Sequence, residues 1–135
     1  TKLNKLLYYL DFISMRDHHK SVTGDTYIHR DYGPVPTHAD EILTILQSNG
    51  AIETKVATYR NCELINFSIK DETQFDQSVF SPEQKKLLKR ICDEFSGWPT
   101  EKIVTQTHLE APWFYSKPYE VVDYAYAKDI DFILK

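Results

Sequence analysis

The side chains able to do chemistry in this sequence are few, and most stand apart from one another. His108 and Glu110 lie beside Trp113, in a stretch that Pro112 is expected to hold as an irregular loop. An imidazole and a carboxyl so placed could act as acid and base if a cleft formed around them. The same residues also have purely structural uses. His108 can cap the helix before it, Glu110 can accept backbone amides of the loop, and Trp113 can fill the core. His18 and His19 are neighbours whose side chains diverge, which fits a solvated turn better than a metal site. Cys92 falls on the apolar stripe of a helix and reads as an inert core thiol. Cys62 is opposite in phase to Ile65 and Phe67 and reads as partly accessible. The four glycines, at 24, 33, 50 and 97, form no phosphate-binding loop, dinucleotide fingerprint or nucleophile elbow. No cofactor and no metal is expected.

Composition narrows the remaining classes. At 135 residues the chain is the size of one domain and can bury one core. With 41% hydrophobic and 27% charged residues it resembles ordinary globular proteins, and no apolar run approaches the length of a membrane span. The formal charge of −4 gives no overall attraction to phosphate, which counts against nucleic acid or an anionic membrane as partner. Two cysteines are too few for a secreted disulfide scaffold, so a reducing cytoplasm is the expected setting. The absence of an initiator methionine and of a leader reads as a trimmed or processed start. Aromatic residues reach 13%, nine of them tyrosine, an excess that suits a recognition domain.

Periodicity then supplies the elements that must position these groups. Leu3, Leu6, Leu7, Leu10 and Ile13 place an apolar face on a helix from Leu3 to Met15, which stops within Arg16–Asp25. Thr26 to Arg30 reads as a short strand, and Tyr32-Gly33-Pro34-Val35-Pro36 as a shaped loop in which Gly33 needs a special backbone conformation or a close contact. Thr37 should cap a helix with Ala39, Ile42, Leu43 and Leu46 inward, ended by Asn49-Gly50. Ile52, Thr54 and Val56 alternate against Ile65, Phe67 and Ile69 as a hairpin turning through Thr58-Tyr59-Arg60-Asn61, and Lys70 to Ser78 reads as a link. Ser81-Pro82-Glu83-Gln84 is a capping box, opening a helix with Leu87, Leu88, Ile91, Cys92 and Phe95 buried and Lys85, Lys86, Lys89 and Arg90 on the solvated side. Thr100 should cap a further helix with Ile103, Val104 and Thr107 inward. A closing helix from about Asp123 to Leu134 would bury Tyr126, Ile130, Ile133 and Leu134. The sum is one α+β domain, 1–135, predominantly helical, with a small antiparallel hairpin and a winged-helix-like middle.

Three segments in order resemble the Panacea, or SocA-like, antitoxin domain of bacterial, phage and mobile-element toxin–antitoxin pairs. They are the helix Lys2-Leu3-Asn4-Lys5-Leu6-Leu7-Tyr8-Tyr9-Leu10, the stretch Arg30-Asp31-Tyr32-Gly33-Pro34-Val35, and Thr107-His108-Leu109-Glu110-Ala111-Pro112-Trp113. Together they bracket nearly the whole chain. The resemblance marks Leu6, Tyr8, Tyr9, Gly33, Pro34, Pro112 and Trp113 as motif residues. It implies neutralisation of a cognate protein toxin by direct binding, with delivery of the toxin to a protease as one mode, and fusion to a DNA-binding module upstream.

The leading expectation is therefore a non-enzymatic antitoxin, with Asp31, Tyr32, His108 and Glu110 near the partner, since shaped loops on a rigid scaffold often carry binding. A winged-helix-like transcription regulator is the alternative, although Thr37, His38, Asp40, Glu41, Thr44 and Gln47 give its recognition helix no positive charge. A small hydrolase using His108 and Glu110 is the third reading. If Trp113 fills the core against the first helix, its truncation to alanine should cost roughly 3 to 5 kcal/mol.

Overall fold

A computed structural model describes residues 1–70, 76–132 and 134, apart from the side chains of Tyr59 and Cys62. Most of the expected link from Lys70 to Ser78, Ile133 of the expected closing helix and the expected access to Cys62 thus lie outside the described residues. The fold is α+β and mainly helical, with two small antiparallel hairpins. The chain forms two compact units, Thr1–Thr37 with Phe80–Lys135, and His38–Val79.

The larger unit is organised on helix α1, Lys2–His18. Its leucine spacing predicts one buried face, but the middle of the helix is buried all round. Tyr8, Tyr9, Leu10, Asp11, Phe12, Ile13 and Ser14 are all buried in succession, and Lys5 with them, whereas Leu3, Leu6 and Leu7 are only half-buried. A helix interior to its unit needs no polar face, provided its polar side chains find partners. His19, at φ 59°, closes α1 in the left-handed conformation and donates its N–H to Met15 O at 3.0 Å.

Strand β1, Tyr27–Arg30, pairs antiparallel with β2, Gly33–Pro36, in the register Tyr27 to Pro36 and Arg30 to Gly33. The proline-rich stretch read as a loop is thus a strand. The alternation of β1 explains why two prolines are tolerated. His29 N and O bond to Glu120 O and Tyr119 N, both at 2.9 Å, so residues 27 and 29 face that segment and residues 28 and 30 face β2. Pro34 and Pro36 lie opposite residues 29 and 27, where the ladder asks β2 for no amide hydrogen. β1 belongs with β2 and the 119–122 segment.

Helix α3, Pro82–Phe95, begins at the expected box: Ser81 Oγ accepts from Gln84 N at 3.1 Å and Gln84 Oε1 from Ser81 N at 2.9 Å. It buries Leu87, Ile91 and Phe95, a stripe one residue wide at spacing four. Cys92, a hundred degrees round the helix from Ile91, is exposed rather than in the core. Helix α4, Thr100–His108, starts behind Pro99 without a side-chain cap, so Thr100 is its first residue and not its cap; Ile103 and Thr107 are its buried residues. Pro112 does not break the chain into a loop. It occupies the first turn of a one-turn helix α5, Ala111–Phe114, where a missing amide hydrogen costs nothing. The expected closing helix is replaced by a 3₁₀ segment, Tyr124–Asp129, opened by Asp123 accepting from Ala125 N at 2.8 Å. Beyond it, Arg16 Nη1 holds the carbonyls of Ile130 and Phe132 at 3.0 and 2.6 Å. Those carbonyls serve α1 instead of a helix of their own, while Ile130 and Leu134 are still buried.

Much of the aromatic excess is spent in this core. Tyr9 stacks on Phe95 at 4.7 Å, Phe12 on Tyr124 at 4.4 Å, and Phe95 on Phe132 at 5.4 Å.

The smaller unit holds helix α2, Ala39–Ser48, and the hairpin of β3, Ile52–Tyr59, with β4, Cys62–Ile69. The expected hairpin is present, with Thr54 opposite Phe67 and Val56 opposite Ile65, but β3 runs on through Thr58 and Tyr59, so the turn narrows to Arg60 and Asn61 at φ 50° and 62°. Gln47 Nε2 of α2 donates to Thr54 Oγ1 at 2.9 Å. Thr37 does not cap α2; His38 holds that position, and the Thr37 hydroxyl donates to Asp25 Oδ1 at 2.8 Å. Ile42, expected inward, is exposed, because α2 has one neighbouring strand to cover and Leu43 and Leu46 face inward further than it does. Among the described residues no helix is long and apolar enough to cross a membrane.

The reciprocal cap at Ser81 yields a direct expectation. Ser81→Ala should lower stability by about 1 kcal/mol, read as a shift of the urea midpoint with unchanged slope.

Candidate functional site

Four buried polar side chains of α1 reach out to segments remote in sequence. Lys5 Nζ donates to Pro34 O of β2 at 2.8 Å. Tyr8 and Tyr9, consecutive on the helix, both donate to the Glu110 carboxylate, Tyr8 to Oε2 at 3.1 Å and Tyr9 to Oε1. Asp11 accepts from Val22 N and Thr23 N, each at 2.8 Å, and from the Tyr27 hydroxyl at 2.6 Å. Gly33 lies between these groups at φ +109°, and a Cβ there would stand 2.6 Å from Thr107 Oγ1 and 2.9 Å from Lys5 Cε. The first helix, the Gly33-Pro34 stretch and the segment from Thr107 to Trp113 therefore converge on one buried polar knot.

Burial sets the ionisation of the knot. Removal from water pushes the Glu110 carboxyl up to about 7, against a downward pull from the hydrogen bonds of Tyr9, Tyr8 and Gln106. Desolvation lowers the Lys5 ammonium to about 8. Tyr8 and Tyr9 are pushed far above the ordinary phenol range by burial and by the adjacent carboxylate, so they remain donors at any physiological pH.

Trp113 does not pack into the core against α1. Its indole is half-buried between two imidazoles, stacked on His29 at 4.3 Å and on His108 at 4.0 Å, and its Nε1 donates to Arg30 O at 2.9 Å. The Ser116 hydroxyl donates to Trp113 O at 2.8 Å, which leaves its oxygen to accept from His29 Nδ1 at 2.7 Å. Burial holds the His108 imidazole below its ordinary range, and its enclosed Nε2 has no hydrogen-bond partner among the described residues. The stack thus joins β1, α4 and α5. It is a flat, partly open clamp, and its tryptophan has less to lose on truncation than a core side chain does.

The residues expected near a partner divide. Asp31 and Tyr32 are exposed at the tip of the β1–β2 hairpin, His108 is half-buried in the stack, and Glu110 is only 5% exposed beneath it. Glu110 accepts tyrosine hydroxyls rather than loop amides, and His108 and Glu110 engage different neighbours instead of each other. Of the motif residues, Tyr8, Tyr9, Gly33, Pro34 and Pro112 are buried, and Leu6 and Trp113 half-buried. Sequence reasoning missed Lys5 and Asp11, which lie off the leucine stripe, and His29, which joins the stack. It also missed the outward Leu109, Phe114 and Tyr115; a helix of one turn cannot bury both sides of so aromatic a run. Among the described residues no three His, Cys, Asp or Glu side chains are grouped to hold a metal.

Residues 3–114 match a family model described as "Antitoxin SocA-like, Panacea domain". The match contains all three convergent segments but for Lys2 at the start of the first helix. No curated protein and no solved structure matches the chain.

Two outcomes follow from the knot. Gly33→Ala should cost at least about 2 kcal/mol, because the positive φ and the overpacked Cβ act together. Gly24→Ala, at φ +76° with nothing within 4 Å, should cost no more than about 1 to 2 kcal/mol; equal urea midpoints for the two would contradict the close contact. For Glu110 the folded chain holds its proton more tightly than the unfolded chain does. Its contribution therefore falls as pH rises from about 4.5 to about 7 and is level above that. Glu110→Gln should remove that part of the slope when urea midpoints are compared between pH 4.5 and 8.

Proposed function

We propose that this chain, which belongs to the SocA-like antitoxin family with its Panacea domain, neutralises a cognate protein toxin by binding it directly. It needs no cofactor for this, and the pair acts in the cytoplasm. The observation that carries the reading is a set of large apolar side chains held outward: Tyr32, Leu109, Phe114, Tyr115 and Tyr119 are each between 64% and 74% exposed. They sit on segments tied together by the Trp113 stack and by the Tyr119 N to His29 O bond of 2.9 Å. Arg30 lies over the Tyr119 ring at 5.2 Å, adding the arginine and tyrosine chemistry typical of interface anchors. Rigid, exposed aromatic groups bind partners at small entropic cost.

Support for binding over hydrolysis comes from the placement of Glu110, buried and held by Tyr8 and Tyr9 while His108 stacks on Trp113, so that the two do not pair as acid and base. Toxin delivery to a protease is a further step compatible with the same contact, distinguished by whether toxin levels fall when the two are co-expressed.

The test is growth of cells expressing the neighbouring open reading frame alone and with this chain. Expression alone should arrest growth and co-expression should restore it; an arrest left unrelieved overturns the reading. Asp31→Lys combined with Tyr32→Asp should weaken the complex by about tenfold or more in titration calorimetry. The melting temperature should barely move, since both side chains are exposed.

A further inference from the structure

Resting on that reading, we infer that the toxin enters a groove beside α5 with a segment that carries an aliphatic or aromatic side chain next to a lysine or arginine. The groove has a volume of about 680 Å³, enough for several side chains, and is open along its length. Its lining combines the apolar side chains of Leu109, Phe114 and Tyr115 with the charged side chains of Lys128, Asp129 and Asp131. The apolar lining is preformed: Tyr115 stacks on Tyr126 at 5.5 Å and meets Phe114 edge-on at 5.3 Å. Its residues are otherwise left in water, with Leu109 the most exposed of them at 74%.

Charge selects the occupant. The charged lining holds two carboxylates against one ammonium, and neither Asp129 nor Asp131 forms an ion pair among the described residues. Asp129 also ends the 3₁₀ segment, where a negative charge opposes the carbonyl dipoles of the last turn, so local folding does not account for it. An incoming cation beside an apolar anchor would satisfy the carboxylates and the apolar side chains of the groove at once. Leu109 and Phe114 lie inside the family match at 3–114, whereas Tyr115 and the charged lining lie beyond it. The groove thus spans the end of the matched region and the residues that follow it.

The experiment uses the full chain and the purified product of the neighbouring open reading frame, titrated at low and at high salt. Asp129→Lys with Asp131→Lys should weaken binding at least tenfold at low salt, with a smaller loss at high salt. Leu109→Ser should weaken it several-fold at both. Melting temperatures should match the wild type, because all three positions are exposed. If the wild type binds and both variants bind equally well, the groove is overturned and the antitoxin reading stands. If the wild type does not bind, both are overturned. Variants that change only the chain's own mass in light scattering would make a second copy the occupant, which also overturns the inference.

Discussion

The carboxylate of Glu110, buried against α1 and held by the hydroxyls of Tyr8 and Tyr9, is the interaction around which the larger unit is assembled. A carboxyl taken out of water without donors is costly, by far more than the net gain of any one hydrogen bond it later makes. The α4–α5 corner can therefore close over α1 only where two donors already wait. Two consecutive tyrosines supply them, one to each oxygen. Lys5 and Asp11 repeat the principle along the helix, Lys5 against the Pro34 carbonyl and Asp11 against two loop amides and Tyr27. Every partner is distant in sequence from its helix position or lies across a turn, so none of these bonds can form unless the surrounding segments are in place.

That arrangement makes the unit stiff where it meets solvent. With β2 held by Lys5 and Gly33, the hairpin tip has a fixed direction. With Glu110 held from below, the chain from Leu109 to Tyr115 is pinned at alternate points. The Trp113 stack then joins hairpin and corner from the outer side. Exposed aromatic groups on so constrained a base would lose little freedom on binding, which is how the buried polar knot would serve the proposed recognition without itself touching the toxin.

Local signals were legible in the sequence where local physics decides the outcome. The Ser81 capping box, the second hairpin with its Arg60-Asn61 turn, and the need for glycine at 33 depend on neighbours within a few residues or on backbone angles. The reading of α1 as having one buried face did not hold, because Lys5 and Asp11, off the leucine stripe, each find a partner beyond the helix and are buried too. The closing helix was displaced by Arg16, more than a hundred residues away, taking the carbonyls of Ile130 and Phe132. Trp113 was placed in the core on residue type alone, yet two histidines far apart in sequence provide a flat site for it. For the candidate site, the three motif segments were visible, but which of their side chains point outward was not.

The direction of those side chains separates folding from binding within a single stretch. In Leu109-Glu110-Ala111-Pro112-Trp113-Phe114-Tyr115, Glu110 and Pro112 turn in, Trp113 lies in the clamp, and Leu109, Phe114 and Tyr115 turn out. A change at an inward position must act through stability and so alters every property of the unit together. A change at an outward position leaves the knot untouched, so under the proposed antitoxin reading it acts on toxin binding alone. The motif residues are thus largely the inward set, which the fold itself requires. In the proposed complex, discrimination between toxins would fall to the outward residues threaded through it and to the carboxylates of Asp129 and Asp131.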